Sequence, residues 1–357
     1  MFLLQGTFRT ILVVSAVLIL AFVATGFASS AYHREKQLLG EEHYKEGQQL
    51  AARGETEAAA EEYRKALLFS PEETNYRLSL ATALIDAGRL DEAQSHLEQL
   101  LQEDPTNGLI NLLLARVALQ RNQLKMAKDY YQRAVYEYWP ASESTERRKA
   151  RWELVNLLSR TGQRNAVIAE LIQLYANAPG DQQQKAKIGF LLLDNGAVSE
   201  AAQVFRDLVK QAPQDTMAHF GLGQVYFSSG DFVSARHEFE RAARLSPHDP
   251  RTEQALALTN DVIDLDPVLP SITATEQLRR SQNLLSRVIK DLQACPGFQH
   301  RLDAAQKLLA TKPQSKEDLS LRLHQAAQSL WHDKGLFCGS KPVNDRTLDT
   351  VLSRMNQ

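Results

Sequence analysis

A chain of 357 residues has room for two domains or for one extended array with an appendage. Apolar residues make up 43% and charged residues 24%, the balance of a folded protein with a core. A formal net charge of −2 argues against a general binder of phosphate backbones, which needs a dominant basic surface, so no nucleic-acid partner is expected.

The first ten residues are a short tail with one basic residue, Arg9. From Ile11 to Phe27 no residue is charged, and the apolar run carries on to Ala31. A helix over 11–31 is long enough to cross a bilayer core of roughly 30 Å, so the segment is expected to be a transmembrane anchor. A cleaved signal peptide is the competing reading, because Ala28-Ser29-Ser30 offers small residues for cleavage. Against it, the run exceeds the usual apolar core of about 7–15 residues. Arg34, Lys36 and Lys45 follow the span, and a positive-inside count then slightly favours a cytoplasmic body. Two cysteines near the C-terminus, Cys295 and Cys338, point the other way.

Prolines recur at Pro71, Pro105, Pro179, Pro213 and Pro247, and three of the four intervals are 34 residues. The longer interval holds two repeats plus six residues, with Trp139-Pro140 near the missing site. Counting this site as position thirty-two puts repeat starts at Gly40, Thr74, Gly108, Arg148, Gln182 and Thr216. Position eight is then small (Gly47, Ala81, Ala115, Val155, Gly189, Gly223), and so is position twenty (Ala59, Ala93, Ala127, Val167, Ala201, Ala235). Position twenty-four is large throughout, running from Tyr63 to Phe239. Such a period marks stacked supersecondary units, none of which buries its apolar face alone.

Over 40–249 this pattern resembles the tetratricopeptide repeat (TPR) family. The sixth repeat carries the resemblance most fully, with Leu222, Gly223, Tyr226, Ala235, Phe239, Ala242 and Pro247 in place. The resemblance implies an all-α solenoid of helix-turn-helix repeats, here preceded by one transmembrane helix and followed by a small helical module. It also implies that helix positions two, five, nine, twelve and thirteen line a concave groove for another protein or peptide segment. That groove is expected to comprise Tyr44, Leu112, Arg116, Leu119, Lys149, Trp152, Asn156, Phe190, Phe220, Gln224 and Phe227. Some relatives clamp a peptide's terminal carboxylate with lysines and asparagines. Only Lys149, Arg116 and Asn156 match here, so such a clamp is doubtful. The groove either accepts a client or is covered by the chain's own tail.

After the repeats, 250–265 reads as a capping helix and the Asp-Pro-Val-Leu-Pro stretch within 266–272 as a linker. Residues 273–357 form an all-helical module without a family signature. Thr273 with Glu276 and, later, Ser315 mark helix starts within it. Cys295 and Cys338 are candidates for one disulfide in an oxidising compartment, which favours an extracytoplasmic body. Closing that loop stabilises the tail by about 4 kcal/mol in the chain-entropy model.

No catalytic motif is present: there is no nucleophile elbow, zinc-helix motif, phosphate loop or paired C-x-x-C. Gly221-Leu222-Gly223 sits inside a repeat helix and reads as packing. His324 and His332 lack a third metal ligand. The basic cluster Arg147, Arg148, Lys149 and Arg151 reads as a solvated helix face. No cofactor or metal is expected. The leading reading is an anchored, non-enzymatic scaffold that recruits or helps assemble a partner. The alternatives are an enzyme or ligand-binding site in the tail, and self-association of the repeats.

Overall fold

The structure, a computed structural model, describes residues 2–139, 143–178, 181–338 and 345–355; the side chains of residues 2–19, 21, 24, 28, 296 and 337 lie outside that description. The chain divides into two compact units, Met1–Glu170 and Leu171–Gln357. The described residues are overwhelmingly helical, and each unit is a stack of helix pairs.

The first unit contains α1 (Phe2–Ala52), α2 (Thr56–Phe69), α3 (Thr74–Asp86), α4 (Leu90–Glu103), α5 (Gly108–Gln120), α6 (Leu124–Tyr136), α7 (Ser144–Arg160) and the start of α8 (Arg164–Ala176). Each pair turns on a residue with positive φ: Gly54, Gly88 and Gly162, and in the third pair Asn122 at +59°. Glycine takes that conformation without a Cβ clash, and asparagine tolerates it best among the rest. Positions eight and twenty are buried in every pair of this unit, from Ala59 and Ala81 to Val155 and Val167. Small residues there let the paired helix backbones approach closely.

The longer interval between the third and fourth repeats has a local cause. Helix α7 begins at Ser144 and is 17 residues long, against 13 for α5. Before it, Trp139 is buried and its indole N–H donates to the Ala134 carbonyl. The Tyr138 backbone pairs with Thr106 and Gly108. The extra residues therefore lengthen a helix and seat an aromatic plug; Pro140, Ala141 and Ser142 lie outside the described residues.

The second unit holds the rest of α8, then α9 (Gln182–Asp194), α10 (Val198–Gln211), α11 (Thr216–Ser228), α12 (Phe232–Leu245) and α13 (Pro250–Leu265). The tail follows as α14 (Ala274–Leu292), α15 (Gln299–Leu309), α16 (Lys316–His332), the short α17 (Lys334–Phe337) and α18 (Arg346–Arg354). Asp181, Asp215 and Asp249 cap α9, α11 and α13, each accepting from N–H groups of the first turn. They recur every 34 residues, two positions after the repeat proline.

The segment after α13 is packed rather than free. Asp266, Pro267 and Leu269 are buried, and Asp266 is 0% exposed. Its carboxylate accepts from the Val268 N–H and from Arg354 of α18. Arg280 of α14 donates to the carbonyls of Ile263 and Asp266. One apolar core joins Phe232 of the last repeat, Val262 and Ile263 of α13, and tail residues from Leu278 to Leu352. The tail thus shares a core with the end of the repeats instead of hanging from a linker. Cys295 and Cys338 are joined in a disulfide that ties the start of α15 to the end of α17.

Glu276 braces this junction from the first turn of α14. Hydrogen bonds from Arg279 and Arg280 outweigh burial and hold its pKa down from an ordinary 4.5 to about 2. A carboxylate depressed on folding stabilises the fold above its ordinary pKa and loses that contribution as pH falls through its folded value. The stability gap between the wild type and Glu276→Gln is therefore expected to be full above about pH 4.5 and to close as pH falls towards 2. Melting curves across that range check it; a gap that stays constant with pH would refute the assignment.

Candidate functional site

In the first unit the expected groove residues divide sharply. Leu112 is 0% exposed, because α5 is apolar on nearly every side and is enclosed by its neighbours α3, α4, α6 and α7. It is a core residue and offers nothing to a partner. Arg116 is committed as well: its Nε and Nη2 grip the two carboxylate oxygens of Glu153 at 3.1 and 2.7 Å. The Tyr131 hydroxyl donates to that carboxylate at 2.9 Å, and burial together with Glu153 pushes the phenol pKa up. Arg116 is therefore an internal brace between consecutive repeats rather than a clamp for a ligand.

Tyr44 is half-buried; it stacks on Tyr76 at 4.4 Å and shares a hydrogen bond with Ser79. Leu119 and Trp152 are half-buried, while Lys149 and Asn156 are exposed. Lys149 pairs with Glu146 on its own helix at 2.7 Å, an exposed pair of little energetic weight. Of the three residues that match a carboxylate clamp, only Arg116 is firmly engaged, by Glu153, while Lys149 and Asn156 are exposed.

A second pattern, not foreseen from the sequence, links positions four and twenty-three within a repeat. His43 meets Glu62 at 2.7 Å, Arg151 faces Glu170 at 3.6 Å, and His219 meets Glu238 at 2.6 Å. Glu46 also lies close enough to His43 and Glu62 for the three to hold a metal ion. Burial disfavours the Glu62 carboxylate, but hydrogen bonds from Lys65 and His43 prevail and keep its pKa below the usual range. The recurrence in register explains the pair as a cross-helix brace. Only a register-aware search for opposite charges nineteen residues apart would find it.

In the second unit the aromatic groove positions stay partly open. Phe190, Phe220 and Phe227 are all half-buried, as is Gln224. Phe220 lies 6.1 Å from Phe190 and 5.7 Å from Phe239, ring centre to ring centre. Phe220, Gln224 and Phe227 line a recess of about 550 Å³, together with Arg251 and Leu258 of α13 and Arg346 of α18. A further hollow of about 640 Å³ along the N-terminal ends of α9, α11 and α13 shares Phe220 and Arg251 with it. The tail does not fill this groove. It walls one end, with Arg346 at the rim and Phe227 leaning on Phe232 and the tail's core.

Such a recess can take an apolar side chain against its aromatic floor, with polar groups at the wall to orient the segment. The two arginines at the wall were missed by sequence reasoning. They lie on the cap and the tail, outside the repeat register that located the rest.

Two tetratricopeptide repeat family models match the chain, one at residues 44–93 and 187–250 and the other at 84–138. Superkiller protein 3 of Schizosaccharomyces pombe is 31% identical over 105 residues, which cover 28% of this chain and 7% of that protein. The chain therefore spans a small fraction of the length of that curated relative. Among solved structures, YrrB, a TPR protein with an unusual peptide-binding site, aligns at 19% identity over 55% of this chain and 98% of its own, with a TM-score of 0.42. Pseudomonas aeruginosa pilF aligns at 15% identity over 62% of this chain and 99% of its own, with a TM-score of 0.41. On the family-model matches and the helix pairing together, the chain carries tetratricopeptide repeats in an all-α solenoid.

Proposed function

We propose that this chain is a membrane-anchored adaptor that holds a segment of another protein in the groove of its second unit. TPR proteins generally mediate protein–protein interactions, and the observation that carries the reading here is the row of half-exposed phenylalanines Phe190, Phe220 and Phe227 beside an open recess. A monomer that leaves contiguous aromatic surface uncovered has an adhesive face, and a partner is its usual explanation.

The anchor rests on the uncharged run 11–31. Among the described residues no helix is long and apolar enough to cross a membrane, and most side chains of that run lie outside the description. What supports the anchor is that Leu20, Phe22 and Phe27 are 68%, 81% and 76% exposed, with no protein surface over them. Helix α1 runs unbroken from there into the first repeat, so no flexible connector separates the two. The disulfide favours an oxidising, extracytoplasmic side for the body.

A photo-crosslinking residue at Gln224, introduced in living cells, tests the whole reading. One adduct is expected, in carbonate-washed membranes, and it should be lost when Phe220 and Phe227 are both alanine. A membrane-impermeant maleimide should reach Cys295 and Cys338 only after reduction. An adduct indifferent to the alanine pair would remove the groove from the account. Thiols that label without reductant, and only after lysis, would move the body to the cytoplasm.

A further inference from the structure

The recess in the second unit is not electrically neutral. Among its described lining residues the charged ones are Arg251 and Arg346, and none is a carboxylate. This stands out in a chain whose net charge is −2 and whose other expected groove cations, Arg116 and Lys149, pair with Glu153 and Glu146.

Neither arginine is explained by the fold. Arg346 is exposed and makes no side-chain hydrogen bond or ion pair among the described residues. The nearest carboxylate in sequence, Asp345, is already engaged: it accepts from the Thr347 and Leu348 N–H groups and takes the Arg287 guanidinium at 2.6 Å. Arg251 has only a solvent-washed approach to Asp249 at 3.5 Å, with its own side chain 71% exposed. That aspartate is likewise occupied, capping α13 through Thr252. Both arginines also sit in the first turn of their helices, where a positive charge opposes the helix dipole. Helix stability would place them elsewhere.

We propose that the recess selects a partner segment carrying an acidic side chain next to a large apolar one. The apolar side chain packs on Phe220 and Phe227, and the carboxylate reaches the wall made by Arg251 and Arg346. Arginine suits this role because its guanidinium offers paired, planar donors to a carboxylate. This rests on the reading of the groove as a partner site and specifies the partner's chemistry. Because Arg346 belongs to α18, the selectivity depends on the tail as well as on the repeats, and that gives the tail a role in recognition.

The test uses the full chain in detergent and three fluorescein-labelled heptapeptides that alternate phenylalanine with aspartate, asparagine or lysine. Fluorescence anisotropy should rank aspartate above asparagine above lysine, with a gap of at least about tenfold between the outer two at low salt. The gap should narrow as salt is raised. In the variant carrying R251E and R346E the order should reverse, with the thermal midpoint not lowered, since a carboxylate suits the first turn of a helix. Equal binding of the aspartate and lysine peptides to the wild type would overturn the proposal. So would aspartate-peptide binding that survives the double reversal. Phe220→Ala separates the two levels of the argument. If it weakens all three peptides alike and no charge preference exists, the groove reading stands and this proposal falls. If the aspartate peptide binds it as well as it binds the wild type, the peptide sits elsewhere and both readings fall.

Discussion

Replacing Gly221 by leucine is expected to abolish the folded form of the second unit, and replacing it by alanine to destabilise that unit by about 1–3 kcal/mol. A Cβ built on Gly221 would lie 2.1 to 2.4 Å from three ring atoms of Phe205, far inside van der Waals contact. The ring has nowhere to go. Phe205 is 0% exposed, and a Cβ on Gly189 of α9 would stand 2.7 Å from the same ring. The Phe190 ring closes another side at a centroid distance of 4.9 Å. Close-packed interiors do not absorb an added methyl by flowing. Gly335→Ala is the control, since nothing lies within 4 Å of the atom it would add. Melting temperature is the readout, and a loss of this size moves it by roughly 2–4 °C per kcal/mol in a unit this large. Phe205→Leu should partly rescue Gly221→Ala, which places the strain in that one contact. A Gly221→Ala protein that melts with the wild type would contradict the packing.

Arg354→Met is expected to be nearly as damaging, by a different route. It leaves the Asp266 carboxylate at 0% exposure without its cation. Removing one partner of a buried pair costs about 3–5 kcal/mol, and the 28% exposure of Arg354 puts the value near the lower end. Arg354 also lies over the Phe232 ring, at 5.3 Å, so its loss loosens α18 from the last repeat. The doubly substituted protein, with Asp266→Asn added, should recover part of the loss because no charge is then stranded. Thermal denaturation of the three variants measures both effects. If Arg354→Met costs no more than a surface substitution, the carboxylate is not enclosed as described.

The repeat was legible because each feature that encodes it is local. Small residues at positions eight and twenty and a large one at twenty-four follow from the geometry of two adjacent helices. Gly221 was readable for the same reason: a glycine amid an apolar helix means close approach. The groove was read less well. Leu112 and Phe220 occupy the same repeat position, yet one is sealed in the core and the other half-exposed. What separates them is whether neighbouring helices close over that face, which no single repeat encodes. Arg116 is held by Glu153, 37 residues away, whose carboxylate accepts from its Nε and Nη2.

By itself, then, the sequence determined that this chain carries a stack of helix pairs, and it singled out its two cysteines as candidates for one disulfide. Periodicity and backbone preference act over a few residues and so are written in order along the chain. Only the tertiary structure decided that Asp266 and its neighbours are core rather than linker, and that the tail shares an apolar core with the last repeat. It also decided that Arg251 and Arg346 meet at one recess beside Phe220 and Phe227. Those are contacts between residues more than a hundred positions apart, set by which apolar faces found each other, and no local pattern records that choice.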